Sequence, residues 1–480
     1  MSRILDRSFF GVGVYGRLGA GVLAVLFIIC SKTAAFSQTS DTNYSVSLTH
    51  VLGRIEEVFS VGITAKPALV QDHILSYGEW RIDPSNLEIS LTQVLAPFDL
   101  TFHQIGEKEY EVRKYEYARN SVYFGSNQLK WLTASYGDMS GWEERKASLK
   151  ACFLETLDFP NIMENPILTI HKSNFRKYRG YTVENISIEI FPGVFSTGSI
   201  YRPTKSKKKN HPVILSPNGH FANGRYGKDQ QIRNAKLASM GAVVVSYDLF
   251  AWGESLLQYQ PEDHRTRIAA KMQLIQGIKW LDYLLSLPDA DKEKVAVTGG
   301  SGGGSQTLML TAIDNRIKVS APVVMVSSHF SGGCPCESGL PFHLCGLRTN
   351  NAEIAAMAAP KPQLIVSDGK DWTSSVPALE LPFILRTYGF YQADSLLTNA
   401  HFAEEGHDYG YSKRVVVYDF MAKYLDLDLG LKGQGDGSYD ESFITPEDED
   451  MLKVFGKDGE KLPKHAVMDL EELSRILNDD

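Results

Sequence analysis

The chain has 480 residues, 43% hydrophobic and 22% charged, and acidic side chains outnumber basic ones for a formal net charge of −8. These are globular proportions that exclude global disorder, and the length predicts two domains. No nucleic-acid partner is expected, since such proteins carry a basic face. The one basic cluster, Lys205–Ser206–Lys207–Lys208–Lys209, falls between two strand-like segments and reads as a solvated turn.

At the start, Arg3, Arg7 and Arg17 precede an apolar stretch, Leu18–Cys30, and small residues follow at Ala35 and Ser37. That order predicts a signal peptide over residues 1–37, cut near Ser37/Gln38, and an exported bacterial protein of the periplasm, envelope or medium. The apolar stretch is short for a membrane span. Cys30 offers a lipid-attachment site, but Ile29 stands where a small residue would be wanted. Residues 44–113 place Leu52, Ile55, Val58 and Phe59, then Leu91, Val94 and Leu95, at helical spacing, with a closing hairpin around Ile105–Lys108. The reading is a small α+β domain, β-α-β followed by α-β-β. It resembles the secretin/TonB short N-terminal domain, which would imply an envelope protein partner.

Residues 114–180 read as a helical connector through GWEERKASLKACFLETLDF. A hairpin follows, with strands at Tyr181–Phe191 and Val194–Arg202 about Pro192–Gly193. From there to residue 430, unbroken apolar strands (PVILSPN, AVVVSYD, VAVTGG, APVVMVSS, QLIVSDG, LLTNAHF) alternate with helices. The expected fold class is α/β, a mostly parallel sheet covered on both faces. Residues 431–480 read as an acidic extension, with a last helix from Thr445 and Pro446 in its first turn.

Chemistry concentrates in VAVTGGSGGGSQ, where Gly299-Gly300-Ser301-Gly302-Gly303 fits G-x-S-x-G between a strand and a helix. That is the setting of a nucleophile elbow, a sharp turn whose neighbours must be small and which aims the Gly302 N–H at a substrate oxygen. A phosphate loop would need a Gly-Lys-Ser/Thr ending, and a dinucleotide fingerprint a third glycine at Ser305. The order of the elbow fold is Ser, acid, His. SDGKDWT offers Asp368 and Asp371, of which Asp371, deeper in its loop, is preferred; EEGHDYG offers His407 before the last long helix. Glu337, after the preceding strand, is a third candidate acid. PNGHFANG, after an early strand, supplies Gly219, with a second oxyanion N–H from His220 or Phe221. His401 reads as a strand-end residue. A metal hydrolase assembled from His220, His401, His407 and Asp371 finds no HExxH-like spacing in support, so neither cofactor nor metal is expected.

Cys334, Cys336 and Cys345 cluster in SGGCPCESGLPFHLCG, while Cys152 stands apart. In an exported protein a disulfide within the cluster is expected, of undetermined pairing. Zinc, with His343 as fourth ligand, is the alternative, although C-x-C and H-x-C are unusual spacings for it.

Together SYDLFAWGES, TGGSGGG, GGCPCES, TNNAEIAAMAAPKP, SDGKDWT and EEGHDYGYSKR resemble the α/β-hydrolase superfamily, in its acetyl-xylan-esterase and prolyl-oligopeptidase-like branch, over roughly residues 140–475. The resemblance implies Ser301 as nucleophile, Asp371 as acid, His407 as base and an acylated carbohydrate as substrate; Val376–Pro377 matches the acid-loop ending of that branch. Two stretches depart from it. Gly302 stands where glucuronoyl esterases carry arginine, and FAWGES and GGSGGG replace the R-G-Q-G and G-x-S-Q-G of typical acetyl-xylan esterases. A peptidase of the same branch is a second reading, although about 70 N-terminal residues cannot make the usual gating domain. A non-catalytic envelope-binding protein is a third, and the retained serine and histidine oppose it.

Overall fold

The computed structural model describes residues 44–98, 100–114, 119–158, 162, 165–204, 209–220, 223–338, 342–429 and 438–477. The expected signal segment with Cys30, most of the lysine cluster, and Phe221 lie outside the described residues. Among the described residues, no helix is long and apolar enough to cross a membrane. The chain divides into two compact units, Met1–Val112 and Arg113–Asp480.

In the first unit, the helix Leu48–Phe59 starts where the Ser47 side chain accepts from the His50 N–H, and ends at a left-handed Ser60. It buries Leu48, Val51, Leu52 and Ile55, one face at helical spacing. The helix Leu87–Leu95 contributes Leu91, Val94 and Leu95 to the same core. Strand β1 (Ser45–Ser47) pairs antiparallel with β3 (Ile74–Ser76). A separate sheet runs β2-β5-β4 from β2 (Gly62–Thr64), β4 (Leu100–Gly106) and β5 (Glu109–Lys114).

The second unit is built on a nine-stranded sheet of order β14-β13-β12-β11-β9-β10-β8-β7-β6. Its strands are β6 (Ile170–Lys177), β7 (Tyr181–Phe191), β8 (Val194–Pro203), β9 (His211–Leu215), β10 (Val243–Tyr247), β11 (Ala290–Gly300), β12 (Val319–Val323), β13 (Gln363–Asp368) and β14 (Leu397–Phe402). The six from β9 onward pair parallel, and β6, β7 and β8 add an antiparallel wing. Strand alternation feeds two cores. Val213 and Leu215 face the helices Arg267–Ser286 and Gly302–Ile313, while Ile214 faces Lys228–Ser239 and Tyr411–Leu425. Both faces are therefore covered, which is why these strands read as continuous apolar runs.

Three segments differ from expectation. The region 114–180 is no mere connector: its helices Val122–Ser135 and Met139–Thr156 bury Leu129, Leu132, Trp142, Leu149 and Phe153 in the main core. It also supplies edge strand β6, whose mostly exposed residues give no apolar alternation to read. The helix expected from Thr445 begins at Glu449 and lasts one turn to Leu452. Tertiary partners hold the preceding residues: the Thr445 N–H donates to the Tyr181 hydroxyl at 3.2 Å and the Glu447 N–H to Gln231 at 2.7 Å. A second C-terminal helix, Leu470–Ile476, is capped by Asp469.

Candidate active site

Six parallel strands deliver loops to one edge of the sheet, the carboxyl edge, where open α/β sheets place their sites. Between β11 and the helix Gly302–Ile313 the chain turns at Ser301, with φ 54° and ψ −122°. A non-glycine residue is rarely held there, and the strain lifts its hydroxyl clear of strand and helix. The turn closes because strand and helix nearly touch: a Cβ on Gly299 would lie 2.5 Å from the Gly303 carbonyl oxygen, in the first turn of the helix. A Cβ on Gly302 would lie 2.6 Å from Glu337 Oε1 and 2.9 Å from His220 Cε1, so a side chain after the serine would have to displace both.

His407, in the loop after β14, places Nε2 2.9 Å from Ser301 Oγ and Nδ1 2.9 Å from Asp371 Oδ2. A carboxylate only accepts, so Nδ1 carries the proton and Nε2 is the lone pair facing the hydroxyl. Asp371 is itself oriented by the Thr373 N–H at 2.6 Å and the Thr373 hydroxyl at 2.5 Å. The Trp372 ring covers His407 at 4.1 Å between centroids and also meets Phe330 at 4.5 Å. The Arg119 guanidinium lies 5.1 Å from the Phe330 ring and 5.4 Å from that of Trp372. The arrangement can pass a proton from Ser301 to His407 while Asp371 stabilises the imidazolium.

The other candidates have different partners. Asp368 is fully buried, 3.1 Å from Lys413 Nζ, and does not reach His407. Burial pushes its carboxyl up to about 6, with Asp371 and Asp408 adding to the rise and Lys413 opposing it. Glu337 receives the Gly333 N–H at 2.7 Å and lies 2.7 Å from His220 Nδ1. Burial works against its ionisation, yet His220 and that N–H keep its carboxyl below the ordinary value. His401 Nδ1 meets the Ser367 hydroxyl at 2.8 Å, on β14 and away from the triad. The metal-hydrolase set of His220, His401, His407 and Asp371 is thus not assembled.

The disulfide expected within the cysteine cluster is present and joins Cys334 to Cys336, while the third member, Cys345, is joined to Cys152 across 193 residues of sequence. His343 bonds Asn351 at 2.9 Å and is no fourth ligand to the cysteines. Sequence reasoning missed Arg119, Trp372 and His264. His264 lies in the charged stretch QPEDHRTR, which fits no motif, and burial, then the facing His220, lowers its pKa to about 4. Trp372 stood inside a quoted motif, and its place beside the acid was the available signal.

No protein-family model matches the chain, and no curated protein does. Among solved structures, methylesterase BT1017 is 42% identical over 92% of this chain and 97% of its own, with a TM-score of 0.73. The chain belongs to the family of that methylesterase. It is accordingly a serine carboxylic-ester hydrolase with an α/β-hydrolase fold. Far more distant are an acetyl xylan esterase from Paenibacillus sp. R4 and a glucuronoyl esterase from Solibacter usitatus. The first is 15% identical over 62% of this chain and 99% of its own, with a TM-score of 0.41. The second is 14% identical over 59% and 93%, with a TM-score of 0.41.

Proposed function

We propose that this member of the methylesterase family is an exported enzyme that hydrolyses methyl esters of carboxylated carbohydrates, with Ser301, His407 and Asp371 as its catalytic triad. The observation that carries the reading is the relay Asp371–His407–Ser301, with both contacts at 2.9 Å, on a serine held at positive φ. His407 Nε2 takes the Ser301 proton as Oγ bonds to the ester carbonyl carbon, and the carbonyl electron pair moves onto oxygen. The Gly302 N–H and an N–H of the His220 loop stabilise that oxyanion. Collapse of the intermediate expels the alcohol, which takes the proton from His407. Water then repeats the sequence on the acyl-enzyme, freeing the acid and the serine.

Methyl rather than acetyl esters are favoured by the 42% identity to a methylesterase. Arg119, whose guanidinium lies 5.1 Å from the Phe330 ring and 5.4 Å from that of Trp372, suits a substrate bearing further carboxylates. Export is supported by the N-terminal charge and apolar pattern and by the Cys152–Cys345 disulfide. The N-terminal unit is read as a secretin/TonB-like docking module for an envelope protein, on the pattern of its helices and strands alone.

Methyl-esterified and acetylated oligosaccharides offered to the purified chain separate the readings. Methanol release, abolished together with fluorophosphonate labelling in Ser301→Ala, is the expected result. Acetate release without methanol would move the substrate to acetylated sugar, and undiminished turnover in Ser301→Ala would overturn the triad.

A further inference from the structure

Beside the triad, on the oxyanion side of Ser301, three loops bring together His220, His264, Cys334 and Cys336. One ligand-capable atom from each lies within 4.8 Å of all the others. His220 Nε2 and His264 Nε2 are 2.7 Å apart, Cys336 Sγ and Cys334 Sγ are 3.1 and 3.5 Å from His220 Nε2, and Cys334 Sγ is 3.9 Å from His264 Nε2.

The other ring nitrogens explain why this contact needs a cation. His220 Nδ1 lies 2.7 Å from the Glu337 carboxylate, and His264 Nδ1 lies 2.5 Å from the Phe250 carbonyl. Both of those partners only accept, so both Nδ1 atoms are donors and both neutral rings present an Nε2 lone pair. Two lone pairs then face each other across 2.7 Å. A carboxylate or backbone carbonyl on the far nitrogen is the arrangement that orients histidines toward a metal. A shared proton would satisfy the two rings but would leave the convergence of both sulfurs on them unaccounted for.

We propose that the dithiol form of the chain binds one zinc ion through His220 Nε2, His264 Nε2, Cys334 Sγ and Cys336 Sγ. A tetrahedral zinc with these ligand types separates its ligand atoms by about 3.3–3.8 Å, so the two ring nitrogens need part by less than about 1 Å and the two sulfurs, once unbonded, by more, while Cys334 Sγ and His264 Nε2 are already 3.9 Å apart. Because Cys334 and Cys336 are bonded to each other here, uptake begins with their reduction. A thiol or phosphine reductant supplies two electrons, the S–S bond breaks, and each sulfur takes a proton. Metal binding then breaks the two S–H bonds, releases two protons, and forms two sulfur–metal and two nitrogen–metal bonds. The ion would tie the loop after β9, carrying His220, to the loop after β12, carrying Glu337. It would thereby set the floor against which Gly302 packs. The site itself requires no particular reading of the reaction.

The test is metal uptake by the full chain, reduced with a phosphine and dialysed against zinc or cobalt. Expected are about one equivalent of zinc by elemental analysis and, with cobalt, thiolate charge-transfer bands with intense tetrahedral d–d absorption. Cys334→Ser/Cys336→Ser and His264→Gln should each lose the metal, and Cys152→Ser/Cys345→Ser should keep it. Wild-type reduced chain without bound zinc, or a cobalt spectrum without thiolate bands, would overturn the site whether or not any variant folds. Uptake that followed Cys152 and Cys345 instead would do the same.

Discussion

At the scale of single residues, two aspartates three positions apart have opposite fates. Asp371 stands 2.9 Å from His407, whereas Asp368 is buried against Lys413 at 3.1 Å. Asp371→Asn should lower kcat by roughly three to four orders of magnitude, because the amide holds the imidazole in the wrong tautomer and leaves its charged form unstabilised. Asp368→Asn should cost far less, and steady-state kinetics of the two variants would rank them. Equal losses would mean that the acid had been misassigned. The pH dependence of stability separates them too. The Asp368 carboxyl, raised from its ordinary 3.8 to about 6 by burial, faces Lys413, Asp371 and Asp408. Between those two values the folded chain holds a proton there that the unfolded chain has lost. Its contribution is therefore fully present below the lower value and fades as pH rises through the upper one. The stability of wild type relative to Asp368→Asn should fall over that window, read as the difference between two thermal-melt series; a flat difference would refute the shift.

At the scale of elements, the helix Met139–Thr156 shows how a segment without a clear amphipathic pattern becomes part of the core. Trp142, Leu149 and Phe153 are fully buried. Arg145 grips the buried Glu353 carboxylate with Nε and one terminal nitrogen, each at 2.9 Å, and Cys152 is bonded to Cys345. The long polar side chains lower the mean hydropathy of the stretch, while their heads are satisfied by partners about 200 residues away in sequence. Trp142→Ala should reduce unfolding free energy by about 3–5 kcal/mol, the range for deleting a large buried aromatic. Denaturant titration reads that loss, and kcat of the folded enzyme should stay near wild type because this helix supplies no triad residue. A loss below about 1 kcal/mol would show that the helix is peripheral to the fold.

At the scale of the whole molecule, each unit has its own core. Leu48, Ile55, Leu91 and Val94 belong to one cluster, and every residue of the triad belongs to the other unit. Removing residues 1–112 should therefore leave hydrolysis of a small soluble ester within about twofold of the full chain, as expected of a separable domain. A collapse of turnover with the fold intact by circular dichroism would show that the first unit completes the site.

The α/β class, the elbow and the Ser–Asp–His order were legible in the sequence because each is a local pattern. Buried parallel strands are apolar throughout, and a strained strand-to-helix turn admits only small residues around its serine. Local pattern also placed both aspartates at the end of one strand and its loop, but it could not choose between them beyond how deep in that loop each lies. That choice depends on Lys413, which comes from the last long helix and takes up Asp368. The same limit hid edge strand β6, whose exposure erases alternation, and the pairing of Cys345 with Cys152. It also hid His264, which acquires a role only where three loops meet. By itself the sequence determined the backbone geometry that exposes one hydroxyl. The tertiary structure decided which distant charges, rings and sulfurs surround it, because those contacts join residues whose separation along the chain leaves no periodic trace.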